Sequence, residues 1–231
     1  DWYPLVDGKR MPQCHLPPGF PNQLCVSNQG LRDYTVELVL EYFKQNPSAK
    51  AFPLVPMDGP SLWCECSDCK ALDPPGIDWS RHKSEGHVGE MTDRSLDYAN
   101  EISSRVSEVY PDKRVLVQAY GYTLKPPRRE KLHPNILVRY ANLSGGRGRG
   151  PLGVSMAKEN PIWDVWRNQL DGWSEAGARI TYYNYMDFWH PDASLFWFYS
   201  TSDMIRCLHR FYNCRAWFGE TEPNKRVSFM L

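Results

Sequence analysis

The chain has 231 residues, and its 27 Lys and Arg balance its 27 Asp and Glu, so the formal charge is zero. This balance gives no electrostatic attraction for nucleic acid or for an anionic membrane surface. No run approaches the ~18 consecutive apolar residues of a membrane span. With 42% hydrophobic residues, the chain is long enough to bury a core, and we expect one domain over residues 1–231.

Apolar periodicity predicts helices that alternate with short strands. The helices are expected at about 31–45, 92–110, 161–176 and 195–211, and the strands at 51–55, 114–122, 136–140, 178–185 and 214–219. Alternation of this kind is typical of an α/β fold with a parallel sheet. A dinucleotide-binding sheet is disfavoured, because the glycine-rich segment 145–150 does not open directly into a helix. We therefore predict a (β/α)8 TIM-barrel-like fold that is partial: these are its later five strands, and the earlier ones precede Asp1.

Carboxylates that follow strands are candidates for catalysis, because a barrel carries its active site at the carboxyl ends of its strands. Asp58, Asp187 and Glu220 follow the strands at 51–55, 178–185 and 214–219. Glycoside hydrolysis requires two carboxyl groups that flank the scissile bond, and different strands can supply them. The alternative is that Asp58 caps a turn and that Glu220 is a solvated loop residue.

Aromatic and polar side chains near the same strand ends suit a sugar cleft. Aromatic faces stack on sugar rings, while Arg, Asn and His bind hydroxyl or acetamido groups. Alternate residues of a strand point to opposite faces, so some of the tyrosines at 182–185 pack in the core instead. The candidates for substrate binding are Trp63, Tyr120, Tyr122, Arg139, Tyr183, Asn184, Tyr185, Asp187, Trp189 and His190.

Three cysteines lie within six residues, at positions 64, 66 and 69. Thiolates at this spacing chelate Zn²⁺ if a fourth ligand exists, and His82, His87 or another Cys could supply it. The interpretation is a structural zinc held by Cys64, Cys66 and Cys69, with no cofactor needed for catalysis. Free thiols, or one disulfide with a bystander, are the alternatives. A nucleophilic cysteine with a histidine base is disfavoured, because no local protease signature is present.

Several motifs in order resemble one known family. They are DWYPLVDGKR at 1–10, QLCVSN at 23–28, VPMDG at 55–59 with the three cysteines, YPDK at 110–113, AYGY at 119–122 with KPP at 125–127, and HPNI at 133–136. Together they resemble the family called domain of unknown function 4838, related to glycoside hydrolase family 163. The resemblance implies a (β/α)8 barrel, a secreted or periplasmic location and a retaining endo-β-N-acetylglucosaminidase acting on N-glycan-type substrates. It also makes Asp58 and Glu220 the leading catalytic pair.

Two other classes of function stay open at this point. One is a non-catalytic carbohydrate-binding barrel, or an inactive fragment of an enzyme, with a Cys-rich zinc-stabilised loop. The other is a metal-stabilised interaction module built around that loop.

Overall fold

A computed structural model describes residues 2–11, 22–57, 62–77, 90–141, 161–182 and 228–229. The strands are β1 (Leu5–Val6), β2 (Lys9–Arg10), β3 (Ala51–Pro53), β4 (Arg114–Ala119), β5 (Ile136–Tyr140), β6 (Arg179–Tyr182) and β7 (Ser228–Phe229). The helices are α1 (Gln29–Gln45), α2 (Ser67–Ala71), α3 (Thr92–Val109) and α4 (Pro161–Glu175), with a 3₁₀ turn at Gly121–Thr123.

The main sheet has the strand order β3-β4-β5-β6-β7, which is also the order of the strands in the chain. Every neighbouring pair in it is parallel. The strands β1 and β2 form a separate antiparallel hairpin. Because each strand lies beside its predecessor, the sheet advances in one direction without the reversal that defines a doubly wound fold.

The long helices cover one face of the sheet. Val117, Val138 and Ile180 come from three adjacent strands and share a buried cluster with Leu96 of α3 and Trp173 of α4. A second buried cluster joins α1 to α3 and to the start of β4. Three helices on one face of a sequentially ordered parallel sheet are the local arrangement of a (β/α)8 fold.

A side-chain cap begins α1, and a glycine ends α4. Asn28 caps α1, its side chain accepting a hydrogen bond from the Leu31 N–H at 3.0 Å. Gly177 follows α4 with φ +91°, and the Ala178 N–H bonds to the Trp173 carbonyl at 3.0 Å. This closing pattern requires a left-handed residue, which is why glycine stands there.

Helix α3 begins differently. Its N-cap is Met91, without a side-chain cap, and the carboxylate of Asp93 instead accepts hydrogen bonds from three backbone N–H groups at residues 128–130. The acidic side chain in the first turn therefore orders the connection after β4 and does not cap the helix.

The α/β class with a parallel sheet is confirmed, and the finer prediction of a barrel stays a prediction. Strand β4 ends at Ala119 and not at residue 122, because Gly121, with φ +51°, opens the 3₁₀ turn. The expected helix 195–211 and strand 214–219 lie outside the described residues, and β7 was not predicted. None of the helices in the described part of the chain is long and apolar enough to cross a bilayer.

Candidate functional site

The carboxyl edge of the sheet holds three of the predicted site residues. Tyr120 and Tyr122 follow β4 directly, and Arg139 is the fourth residue of β5. The other residues predicted at this edge lie outside the described residues, and their roles stay predictions: Asp58, Tyr183, Asn184, Tyr185, Asp187, Trp189, His190 and Glu220.

A polar row crosses the sheet near this edge. Gln118 of β4 is in register with Arg139 of β5, which is in register with Thr181 of β6. Their neighbours Val117, Val138 and Ile180 pack against the helices, so the strand period of two turns this row to the opposite face. Arg139 is half-buried there. A guanidinium, an amide and a hydroxyl in one row offer both hydrogen-bond donors and acceptors.

Trp63 and Tyr122, the latter in the turn that follows β4, pack against each other. Their ring centroids are 5.5 Å apart with the planes at 71°, and Met91 completes the buried cluster. Trp63 is 4% exposed and Tyr122 is 7% exposed, and burial raises the pKa of the Tyr122 hydroxyl. In this arrangement the two rings form a rigid wall and offer little open face for stacking.

Gln23 bonds to Met57 and to Leu62, the described residues on either side of positions 58–61. The Gln23 side-chain amide donates to the Met57 carbonyl at 2.7 Å and accepts from the Met57 N–H at 3.0 Å. The Gln23 backbone N–H donates to the Leu62 carbonyl at 3.1 Å. One buried residue therefore holds the chain immediately before and immediately after residues 58–61.

Four thiols converge next to this segment, and we call them the four-cysteine cluster: Cys25, Cys64, Cys66 and Cys69. Their sulfur atoms all lie within 4.8 Å of one another. Cys25 Sγ is 3.8 Å from both Cys66 Sγ and Cys69 Sγ, beyond the ~2.05 Å of a disulfide bond. Three of the four are buried, and Cys66 is half-buried.

The thiols of the four-cysteine cluster differ in pKa. The pKa of Cys64 is lowered to about 4, first by a hydrogen bond from the Cys69 thiol and further by backbone N–H donors that include Leu5. The same contact with Cys64 raises the pKa of Cys69, and burial raises the pKa of Cys25. The cluster thus stabilises a thiolate, which is the form of cysteine that binds metal ions.

Polar groups from three chain segments surround the sulfur atoms. The Leu5 N–H donates to Cys64 Sγ at 3.3 Å, the Cys69 N–H to Cys66 Sγ at 3.4 Å, and Ser27 Oγ lies 3.1 Å from Cys69 Sγ. The Arg10 guanidinium lies 3.9 Å from Cys64 Sγ. These contacts join the β1–β2 hairpin to the segments around Cys25 and Cys64.

A buried ion pair connects the cluster to helix α3. Arg94 of α3 is fully buried and pairs with both carboxylate oxygens of Asp73, at 2.8 Å and 2.5 Å. Its third bond goes to the Cys64 carbonyl at 2.7 Å. Because a bidentate guanidinium contact restrains both partners, this pair sets where Cys64 lies relative to α3.

Sequence reasoning allowed another cysteine as the fourth ligand but did not identify it as Cys25. It lies 44 positions from Cys69 in the chain, so no local ligand spacing connects the two. The described structure supplies the fourth group from Cys25, and the expected candidates His82 and His87 lie outside the described residues. The available signal was that Cys25 belongs to the motif at 23–28.

Comparison with known proteins gives one family. The sequence pattern of a family described as Domain of unknown function (DUF4838) matches residues 1–222. The chain therefore belongs to that family, as the ordered motifs indicated. The search of curated proteins gives no match.

Proposed function

We propose that the chain is a glycoside hydrolase that acts on N-glycan-type or related glycans containing N-acetylglucosamine. The observation that carries the proposal is the polar row of Gln118, Arg139 and Thr181, on the face turned away from the helices near the carboxyl edge. Active sites of (β/α)8 enzymes lie at this edge. Membership of the DUF4838 family over residues 1–222 supports the proposal.

Two carboxylates supply the proposed chemistry. Asp58 comes directly after Met57, whose backbone Gln23 fixes, and Glu220 follows the expected strand at 214–219. In a retaining enzyme one carboxyl group protonates the leaving oxygen and the other attacks the anomeric carbon, with the two groups about 5–5.5 Å apart. Arg139 would bind hydroxyl or acetamido oxygens of the sugar through charge-assisted hydrogen bonds.

A second part of the proposal concerns structure rather than turnover. The four-cysteine cluster holds a structural metal ion beside the loop that follows β3, and the reaction itself uses no cofactor. The convergence of four thiols within 4.8 Å supports this assignment.

The test measures release of glycan from an N-glycoprotein and cleavage of a chromogenic N-acetylglucosaminide. Asp58→Asn and Glu220→Gln are each expected to reduce kcat by about 10²–10⁴-fold, the usual contribution of an acid–base group, while circular dichroism stays unchanged. Matched controls are Asp112→Asn, at the amino end of β4, and Glu108→Gln on the exposed surface of α3, which should retain activity.

The outcomes separate the competing functions. Near wild-type turnover in either variant would remove that residue from the mechanism. Wild-type protein that binds the glycan without cleaving it would replace the hydrolase proposal by a non-catalytic carbohydrate-binding barrel. Retention is checked by following the anomer of the first product with proton NMR.

A further inference from the structure

We infer that the four-cysteine cluster is a closed tetrathiolate site for Zn²⁺, with Cys25 as its fourth ligand, and that this ion positions the wall residue Trp63. The inference deepens the structural part of the proposed function and rests on it. The ion is zinc, its ligands are the four cysteines of the cluster, and its effect at the carboxyl edge is to position Trp63.

The sulfur separations fit a tetrahedral zinc site. Zinc binds thiolates at about 2.3 Å in a tetrahedron, which places the sulfur atoms about 3.8 Å apart. Cys25 Sγ lies 3.8 Å from Cys66 Sγ and 3.8 Å from Cys69 Sγ. All four sulfur atoms fall within 4.8 Å of one another, so the tetrahedron forms with only small side-chain movements.

The donor set selects the class of metal. Four sulfur ligands in a tetrahedral arrangement favour zinc or an iron–sulfur cluster over the hard cations, which prefer oxygen. With four protein ligands, three of them buried, the site leaves no coordination position for water or substrate. A closed site of this kind is structural and not catalytic.

The surroundings of the sulfur atoms partly offset the charge of the site. Four thiolates and one Zn²⁺ carry a net charge of −2, and binding releases the remaining thiol protons to solvent. The Leu5 and Cys69 N–H groups already donate to sulfur, and the Arg10 guanidinium adds a positive charge 3.9 Å from Cys64 Sγ. Such outer contacts orient ligands and tune metal affinity.

The ion would restrain residues near the proposed cleft, because its ligands lie close in the chain to those residues. Trp63, which immediately precedes the ligand Cys64, packs against Tyr122 at the carboxyl edge. Cys25 is two residues from Gln23, which fixes Met57 and Leu62. One ion therefore holds two chain segments that border residues 58–61.

The test begins with metal analysis of the purified wild-type chain. We expect one zinc ion per chain by mass spectrometry, and intense tetrahedral thiolate absorption after replacement of zinc by Co²⁺. Cys25→Ser should abolish both signals, whereas Cys207→Ser, a matched removal of a thiol from outside the described residues, should leave them unchanged. If Cys25→Ser does not fold, the Co²⁺ spectrum of the wild-type protein still shows whether thiolates bind the ion.

A second pair of variants tests the outer contacts. Arg10→Gln should weaken zinc binding by about 10- to 100-fold, the usual effect of removing such a partner, and the exposed neighbour Lys9→Gln should not. Iron with acid-labile sulfide, two disulfides, or metal-free protein whose four thiols react freely would each overturn the inference. Zinc content is measured without substrate, so failure of the hydrolase proposal leaves this result unaffected.

Discussion

At the scale of single residues, Gln23 holds two separate backbone positions by hydrogen bonds. Its side-chain amide forms hydrogen bonds with both the N–H and the carbonyl of Met57, as a neighbouring strand would do. Its backbone bonds to Leu62 on the far side of residues 58–61. The side chain is 4% exposed, so water competes weakly for these bonds.

Replacing this side chain should disturb the Asp58 segment without unfolding the protein. In Gln23→Leu both bonds to Met57 are lost, so we expect faster hydrogen exchange of the Met57 amide and a fall in kcat of up to about 10²-fold, the effect of misplacing a reacting group by about 1 Å. Exchange is measured by mass spectrometry. The exposed Gln45, bonded only to Glu41 in its own helix, provides the control Gln45→Leu. Unchanged exchange at Met57 would contradict this role.

At the scale of elements, α4 approaches the connection after β4 so closely that a glycine is required. A Cβ atom at Gly172 would lie 2.6 Å from Cγ of Pro126. The indole N–H of Trp173, one residue on, donates to the Leu124 carbonyl at 3.0 Å. Helix α4 is therefore fixed to this connection at two successive positions.

Gly172→Ala tests this contact. Alanine favours the helix by about 1 kcal/mol, yet the clash should outweigh this gain and lower the free energy of unfolding by about 1–3 kcal/mol. Urea unfolding of the single variant and of Gly172→Ala with Pro126→Ala measures the effect. The double variant should recover most of the lost stability, because Cγ of Pro126 is gone. If Gly172→Ala costs as much stability in the Pro126→Ala background as it does with Pro126 in place, this contact is not the cause.

Helix and strand positions could be predicted where periodicity and end signals agree. Helix α1 was expected at about 31–45 and spans Gln29–Gln45, and α4 was expected at about 161–176 and spans Pro161–Glu175. Helix α2 escaped prediction because five residues carry no periodic signal, and its N-cap is the cysteine Cys66. The short strands of the β1–β2 hairpin are likewise too brief for an alternation pattern.

At the scale of the whole molecule, the two edges of the parallel sheet are chemically distinct. The carboxyl edge has the polar row and the wall of Trp63 and Tyr122. At the amino edge, Arg114 bonds to nearby backbone carbonyls of Pro111 and Lys113. Under the proposed function, Arg139 at the carboxyl edge binds the glycan and Arg114 at the amino edge does not.

Replacing each arginine in turn tests that asymmetry. Arg139→Leu should weaken glycan binding by about 10- to 100-fold, the value of a hydrogen bond to a charged group, while Arg114→Leu should leave binding unchanged. Calorimetric titration with the glycan gives the affinities, and thermal melting shows whether either variant is unstable. Equal affinities in the two variants would remove Arg139 from the binding site.

The parallel sheet could be predicted at this scale, and part of the candidate site could not. Tyr120, Tyr122 and Arg139 lie at one edge, as expected when parallel strands align their carboxyl ends, and their role in binding stays a prediction. The four-cysteine cluster could not be read from the sequence, since α1 and β3 separate Cys25 from Cys69 along the chain. Contacts between distant segments leave no local pattern in a sequence.

The position of Cys25 determines which loop a bridging ion would close. A metal bridge from Cys25 to the other three thiols would close a loop of about 40 residues that contains all of α1 and β3. If an ion bridges them in the unfolded chain as well, the closed loop loses conformational entropy worth about 4 kcal/mol by the relation used for cross-links. The metal would then favour folding through this entropy alone, because its bonds to sulfur would be present in both states and would cancel.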